Sequence, residues 1–212
     1  IRDRICAACQ TSNSPPDMRV LNSPLATLTR GLMADTSSID QARKTELNNL
    51  AKLTTKSLAE QGSADLVFIC THNSRRSHFS QVWAQVGAAL HGLDGRLHTF
   101  SGGTEATACN SRTVAAMERA GFEVSVADTR HGENNPTYRV KAGDGMNPIM
   151  CWSKTFGNSA NPADGFIAVM TCSSADQSCP VVHGASARCA VPYVDPKVSD
   201  GTTEEWTTYD AR

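Results

Sequence analysis

Cys70 ends a short apolar run, Asp65-Leu66-Val67-Phe68-Ile69, and opens the string Cys70-Thr71-His72-Asn73-Ser74-Arg75-Arg76-Ser77, which leads directly into a helical pattern. A strand, a tight polar turn and a helix start in that order form a cradle for a tetrahedral oxyanion. Successive backbone N–H groups, the positive end of the helix and the Arg76 guanidinium would all face the anion. The same groups would favour the thiolate of Cys70, the nucleophilic form of the side chain. Ser77 is placed to donate to that thiolate, and Asn73 tolerates left-handed geometry that a tight loop demands. A Cys-x5-Arg spacing by itself is weak, since eight cysteines make chance matches common. Its coincidence with strand, turn and helix is what singles it out.

Two further segments belong to the same edge. Val191-Pro192-Tyr193-Val194-Asp195-Pro196 follows a strand pattern, so Asp195 falls on a loop beside Cys70, where a carboxylic acid can protonate a leaving oxygen. The plainer reading of Asp-Pro is a turn former. Cys172 ends the apolar run Phe166-Ile167-Ala168-Val169-Met170-Thr171, and Cys179 follows seven residues later. Two such thiols beside Cys70 suit a relay in which Cys172 attacks the Cys70 sulfur and Cys179 takes over the disulfide. The segment between them would have to loop or unwind, because a disulfide needs Cα atoms within about 7 Å. Cys109, Cys151 and Cys189 read as inert core thiols. Cys6 and Cys9 have a redox or half-zinc spacing with no second pair to complete it.

These residues need elements to hold them. From Ala64 onward, alternating strands (65–69, 96–100, 166–172, 188–191) and helices (77–91, 109–120, 203–212) predict a three-layer α/β domain with a mainly parallel sheet. A short strand is expected over 122–126. Residues 128–165 read as an insertion with a hairpin pairing 138–141 and 149–153 across Ala142-Gly143-Asp144-Gly145, which would form a lid, a dimer surface or a docking surface. Residues 1–63 form an N-terminal extension, irregular with at most short helices to residue 36, then an amphipathic helix over 38–61 ended by Gly62.

A net charge of −1 over 212 residues gives no global argument for nucleic-acid or anionic-membrane binding. No apolar stretch approaches the roughly 20 residues of a membrane span. Several of the cysteines lie in or beside apolar strands rather than in a loop-rich framework, which favours a reducing compartment such as the cytoplasm. The chain opens on Ile1, which leaves room for a removed targeting segment.

With these residues assembled, the chain resembles the low-molecular-weight protein tyrosine phosphatase superfamily and, within it, the thioredoxin-coupled arsenate reductases. The resemblance covers about residues 64–212. It rests on the Cys70–Ser77 string, Ser101-Gly102-Gly103-Thr104, Cys172 with Cys179, and Asp195-Pro196. It implies a four-stranded parallel sheet flanked by helices, a nucleophilic Cys70, an oxyanion-binding Arg76 within the loop 71–77, a thiolate-stabilising Ser77 and an acid Asp195. It also implies no tightly bound cofactor, no metal, and an external thiol reductant such as thioredoxin. The Cys172/Cys179 pair belongs to the reductases and places arsenate reduction first. Phosphomonoester hydrolysis through a Cys70 phosphocysteine is the alternative. A non-enzymatic subunit of a larger assembly that retains the fold is a third reading. Many relatives have Gly where His72 stands and Cys where Arg75 stands, so His72 is expected to need compensation for the loop's backbone angles. Lys197 replaces the tyrosine that phosphatases carry after Asp-Pro.

Overall fold

The computed structural model describes residues 15–178 and 181–212. Four parallel strands form the central sheet: β1 (Ala64–Cys70), β2 (Leu97–Gly103), β6 (Ile167–Met170) and β7 (Ala187–Ala190), in the order β2-β1-β6-β7. Helices flank this sheet, so the expected α/β class holds. β1 lies inside the sheet, and its side chains alternate between the two faces, as a strand covered on both sides requires. Leu66 and Phe68 pack with Leu58, Ala88 and Val169, whereas Val67 and Ile69 pack with Phe166, Met170 and Cys172. Each fully buried aliphatic side chain contributes about 1.5–3 kcal/mol. That anchorage makes the end of β1 a rigid platform for Cys70.

The helix α3 (Arg76–Leu90) follows the Cys70 loop and buries Phe79, Val82 and Val86. α4 (Ser111–Ala120) is capped by Asn110 and stopped by Gly121, whose φ of 107° suits glycine. A second, antiparallel sheet joins β3 (Glu123–Asp128), β4 (Thr137–Lys141) and β5 (Ile149–Cys151) in that order. The expected hairpin is therefore present. The expected strand over 122–126 belongs to this second sheet rather than to the main one.

The leader differs from expectation. α1 (Ser23–Ala34) is a twelve-residue helix, not a short irregular turn, started by the Asn22 cap and Pro24. Leu25 and Ala26 are buried among Met117, Phe122 and Tyr209. Asp17 N–H donates to Leu90 O and Asn22 N–H to Ala142 O, both at 2.8 Å. Tertiary burial overrides a Ser/Thr-rich composition here. α2 (Gln41–Gln61) begins three residues later than expected because Asp40 caps it, and Gly62 closes it in the left-handed conformation. Near its start the Arg43 guanidinium donates to Pro192 O, ahead of Asp195. A short α5 (Ser173–Ser178) and a final α6 (Glu205–Asp210) complete the order. Among the described residues, no helix is long and apolar enough to cross a membrane.

Candidate active site

The loop from Cys70 to Arg76 turns its carbonyl groups outward and satisfies them. Cys70 O accepts from Thr104 N–H, Thr71 O from Glu105 N–H, Ser74 O from Asn110 N–H, and Arg75 O from the N–H groups of His78 and Phe79, all at 2.8–3.1 Å. His72 O accepts from the hydroxyls of Ser153 (2.9 Å) and Thr107 (3.3 Å). Among the described residues, none of the backbone N–H groups of residues 72–75 donates to another group. Carbonyls tied outward and amides left unpaired make a concave anion nest at the head of α3.

Cys70 is buried within this nest, its Sγ 3.1 Å from Ser77 Oγ. Asn73 Nδ2 donates to the same hydroxyl oxygen at 2.8 Å, which leaves the Ser77 proton for the sulfur. Asn73 is fully buried and is the one non-glycine described residue with positive φ, at 45°. The expected backbone demand on His72 is therefore corrected: the left-handed position is Asn73, and its Oδ1 is fixed by Lys154 N–H at 2.9 Å. His72 stays outside, its ring half-exposed and 3.8 Å from Glu105.

The segment read as a lid or docking insertion instead braces the loop from behind. Gly103 N–H donates to Lys154 O and Phe156 N–H to Gly103 O, both at 2.9 Å, while Thr155 makes a parallel bridge to Gly103. Gly103 leaves no room for a side chain: a Cβ there would lie 2.2 Å from Glu105 O, 2.6 Å from Thr71 O and 2.8 Å from Asn73 N. At Gly102 a Cβ would lie 2.4 Å from Phe156 Cα. Residues 101–103, expected as a turn, thus continue strand β2 alongside residues 68–70, and the two glycines let neighbouring backbones approach closely.

Arg76 joins the two halves of the site. Its Nη2 lies 3.0 Å from Asp195 Oδ2, its Nη1 donates to Tyr193 O at 3.1 Å, and its Nε is buried without a partner. Tyr193 returns a bond from its hydroxyl to Arg76 O at 2.6 Å. Burial pushes the phenol pKa well up, so Tyr193 remains a donor. Asp195 also accepts from Lys197 N–H at 3.0 Å, which starts the turn Pro196–Ser199. One carboxylate thus both caps the turn and pairs with Arg76. Tyr193 was not singled out from the sequence. Its signal was an aromatic residue two positions before Asp195.

Arg75 belongs to the loop by its backbone only. Its Nε donates to Tyr209 OH at 2.7 Å and its Nη2 to Asp200 at 3.0 Å, inside a cluster closed by Tyr209 OH to Asp200 at 2.7 Å and Arg112 to Glu205 at 2.8 Å. Burial, then the bond to Asp200, pushes the Tyr209 phenol up to about 12. This cluster clamps the C-terminal helix α6 to the loop. Thr71 faces the neighbouring strand end, with Oγ1 3.5 Å from Cys172 Sγ.

Cys172 follows β6, whose Met170 pairs with Ile69, so it emerges beside the loop. It is buried and its Sγ accepts from Ala175 N–H at 3.3 Å. Cys179, Cys6 and Cys9 lie outside the described residues. The helix α5 occupies the stretch after Cys172. Cys109, Cys151 and Cys189 are buried. Desolvation pushes their thiols up, Cys151 to about 12.

No family model matches the chain, and no curated protein matches it. Among solved structures it is similar to a thioredoxin-dependent arsenate reductase of Corynebacterium glutamicum, at 16% identity and a TM-score of 0.38 over 91% of this chain and 78% of that one. The likeness is distant.

Proposed function

We propose that this chain reduces arsenate by thiol chemistry at Cys70, with electrons returned by a dithiol reductant such as thioredoxin. The observation that carries the reading is the nest of unpaired N–H groups at 72–75 around a buried thiol that has its own hydroxyl donor, Ser77. Arsenate would sit on these amides and on Arg76, whose buried Nε has no other partner. Cys70 thiolate attacks arsenic and an oxygen leaves as water, protonated by Asp195. Cys172 thiolate then attacks Cys70 Sγ. The S–As bond pair passes to arsenic, reducing As(V) to As(III), and arsenite leaves as the Cys70–Cys172 disulfide forms. Cys179 attacks Cys172 Sγ and frees the Cys70 thiolate, and the reductant takes the Cys172–Cys179 disulfide back to thiols. Unwinding of α5 accompanies that exchange.

Arsenate-dependent NADPH oxidation in the presence of thioredoxin and its reductase tests the scheme. Turnover should vanish in both Cys172→Ser and Cys179→Ser while one equivalent of arsenate still reacts. Turnover that persists in both variants sinks the relay. Hydrolysis of an aryl phosphate that needs Cys70 and ignores Cys172 would assign the site to phosphomonoester chemistry instead.

A further inference from the structure

Behind the loop, on the side away from Cys70, a cavity of about 320 Å³ opens between α3, β2 and the arm that follows β4. None of residues 70–77 lines it, nor does Asp195. Lys154 lines this cavity; the residue is only 4% exposed, and its ammonium lies 4.2 Å from the Trp152 ring centroid. Among the described residues, Lys154 forms no ion pair. Burial lowers its pKa to about 8, which still leaves it mainly charged at neutral pH. A buried cation with no counter-charge is costly unless something anionic completes it.

An opposite charge also lines the cavity, before the start of β2, whereas Lys154 lies beside its end. Asp94 is exposed, lines the cavity and has no ion-pair partner among the described residues. Two further wall residues, Gln81 and Asn161, are about 95% buried. Their amide nitrogens are committed to backbone carbonyls, Gln81 to Thr99 O at 3.2 Å and Asn161 to Ser101 O at 3.1 Å and Phe156 O at 3.0 Å. That fixes which amide atom is oxygen, and Gln81 Oε1 and Asn161 Oδ1 are buried without donors. Unmet buried acceptors of this kind are destabilising until a donor reaches them. The volume is at the low end of the roughly 300–1,000 Å³ of small-molecule sites.

We propose that this cavity is a binding site for a small ammonium carboxylate, an amino acid in the broad sense, with its carboxylate at Lys154 and its ammonium at Asp94. Acceptor oxygens on Gln81 and Asn161 suit the ammonium side as well. The site is separate from the reaction at Cys70 and stands whether or not that reaction is arsenate reduction.

The test titrates the full chain with glycine, β-alanine and 4-aminobutyrate, which step the distance between the two charges, and with acetate and ethylamine, which carry one charge each. Binding is read by calorimetry and by the indole N–H signal of Trp152. At least one zwitterion should bind at least about tenfold more tightly than acetate or ethylamine, with a dissociation constant of about 1 mM or below. Lys154→Met should reduce that zwitterion to the ethylamine level, and Asp94→Asn to the acetate level. Asp94 is a surface side chain, so its variant decides the matter even if Lys154→Met fails to fold. No zwitterion binding below about 50 mM overturns the proposal. Equal binding of acetate and the zwitterions, or binding unchanged in Asp94→Asn, does the same.

Discussion

Two pairs of buried cysteines lie within one domain and differ in what surrounds the sulfur. Among the described residues, neither Cys109 nor Cys151 has a hydrogen-bond partner at its sulfur, and burial pushes both thiols up, Cys151 to about 12, although the Lys154 ammonium opposes the shift. Cys70 and Cys172 are just as buried, yet each sulfur has a polar neighbour: Ser77 Oγ at 3.1 Å for Cys70, Ala175 N–H at 3.3 Å and Thr71 Oγ1 at 3.5 Å for Cys172. Burial without a donor disfavours the thiolate, whereas a hydrogen bond donated to sulfur favours it. The difference comes from position on the sheet. Cys70 and Cys172 stand at the carboxyl ends of adjacent parallel strands, where backbone amides converge. Cys151 sits within the antiparallel β5, whose neighbours are side chains of the core.

The contrast is broken most severely at Cys70 itself. Cys70→Ser should lower arsenate turnover by at least about ten-thousandfold, while Cys151→Ala and Cys109→Ala leave kcat/KM within about threefold. Loss of activity in Cys151→Ala at intact folding would erase the distinction. Asp195→Asn comes next, with kcat reduced about a hundredfold or more.

Gly103→Ala acts on the frame of the reactive pair rather than on a sulfur. Its Cβ would collide with three backbone atoms, so the loop or the arm must shift, at a cost of about 3 kcal/mol in denaturant unfolding. A near-neutral result would show that the loop's backing is soft. The smallest effect concerns His78, fully buried behind the loop with Nδ1 3.3 Å from Ser101 Oγ. Burial, aided by Lys154, lowers its pKa from 6.5 to about 3. Below pH 6.5 the unfolded chain binds a proton that the folded chain refuses, so stability conferred by neutral His78 is lost as pH falls toward 3. His78→Gln should flatten that part of the stability profile, measured as urea midpoints between pH 7 and pH 4.

Much of this was legible in advance because it is local. The four parallel strands follow from short apolar runs separated by helical patterns, and β1 and α3 follow from the switch between the two periodicities around Cys70. The hairpin of β4 and β5 follows from a Gly-rich turn between two apolar segments. The leader helix α1 was not legible, since its apolar face is narrow and its stability comes from packing Leu25 against Met117 and Phe122. Nor was the role of residues 153–156, because a backbone that braces another backbone leaves no mark in side-chain pattern beyond the two glycines that admit it.

By itself the chain of residues determined that a thiol, a guanidinium and a polar turn arrive together at a strand end, and that further thiols and a carboxylate follow similar strands. Only the tertiary structure decided that Asn73 rather than His72 takes the strained position, and that Arg75 leaves the loop for Tyr209 and Asp200. It also decided that Asp195 and Tyr193 both hold Arg76. These partners lie more than a hundred residues away along the chain, and only closure of the parallel sheet brings them within hydrogen-bond reach.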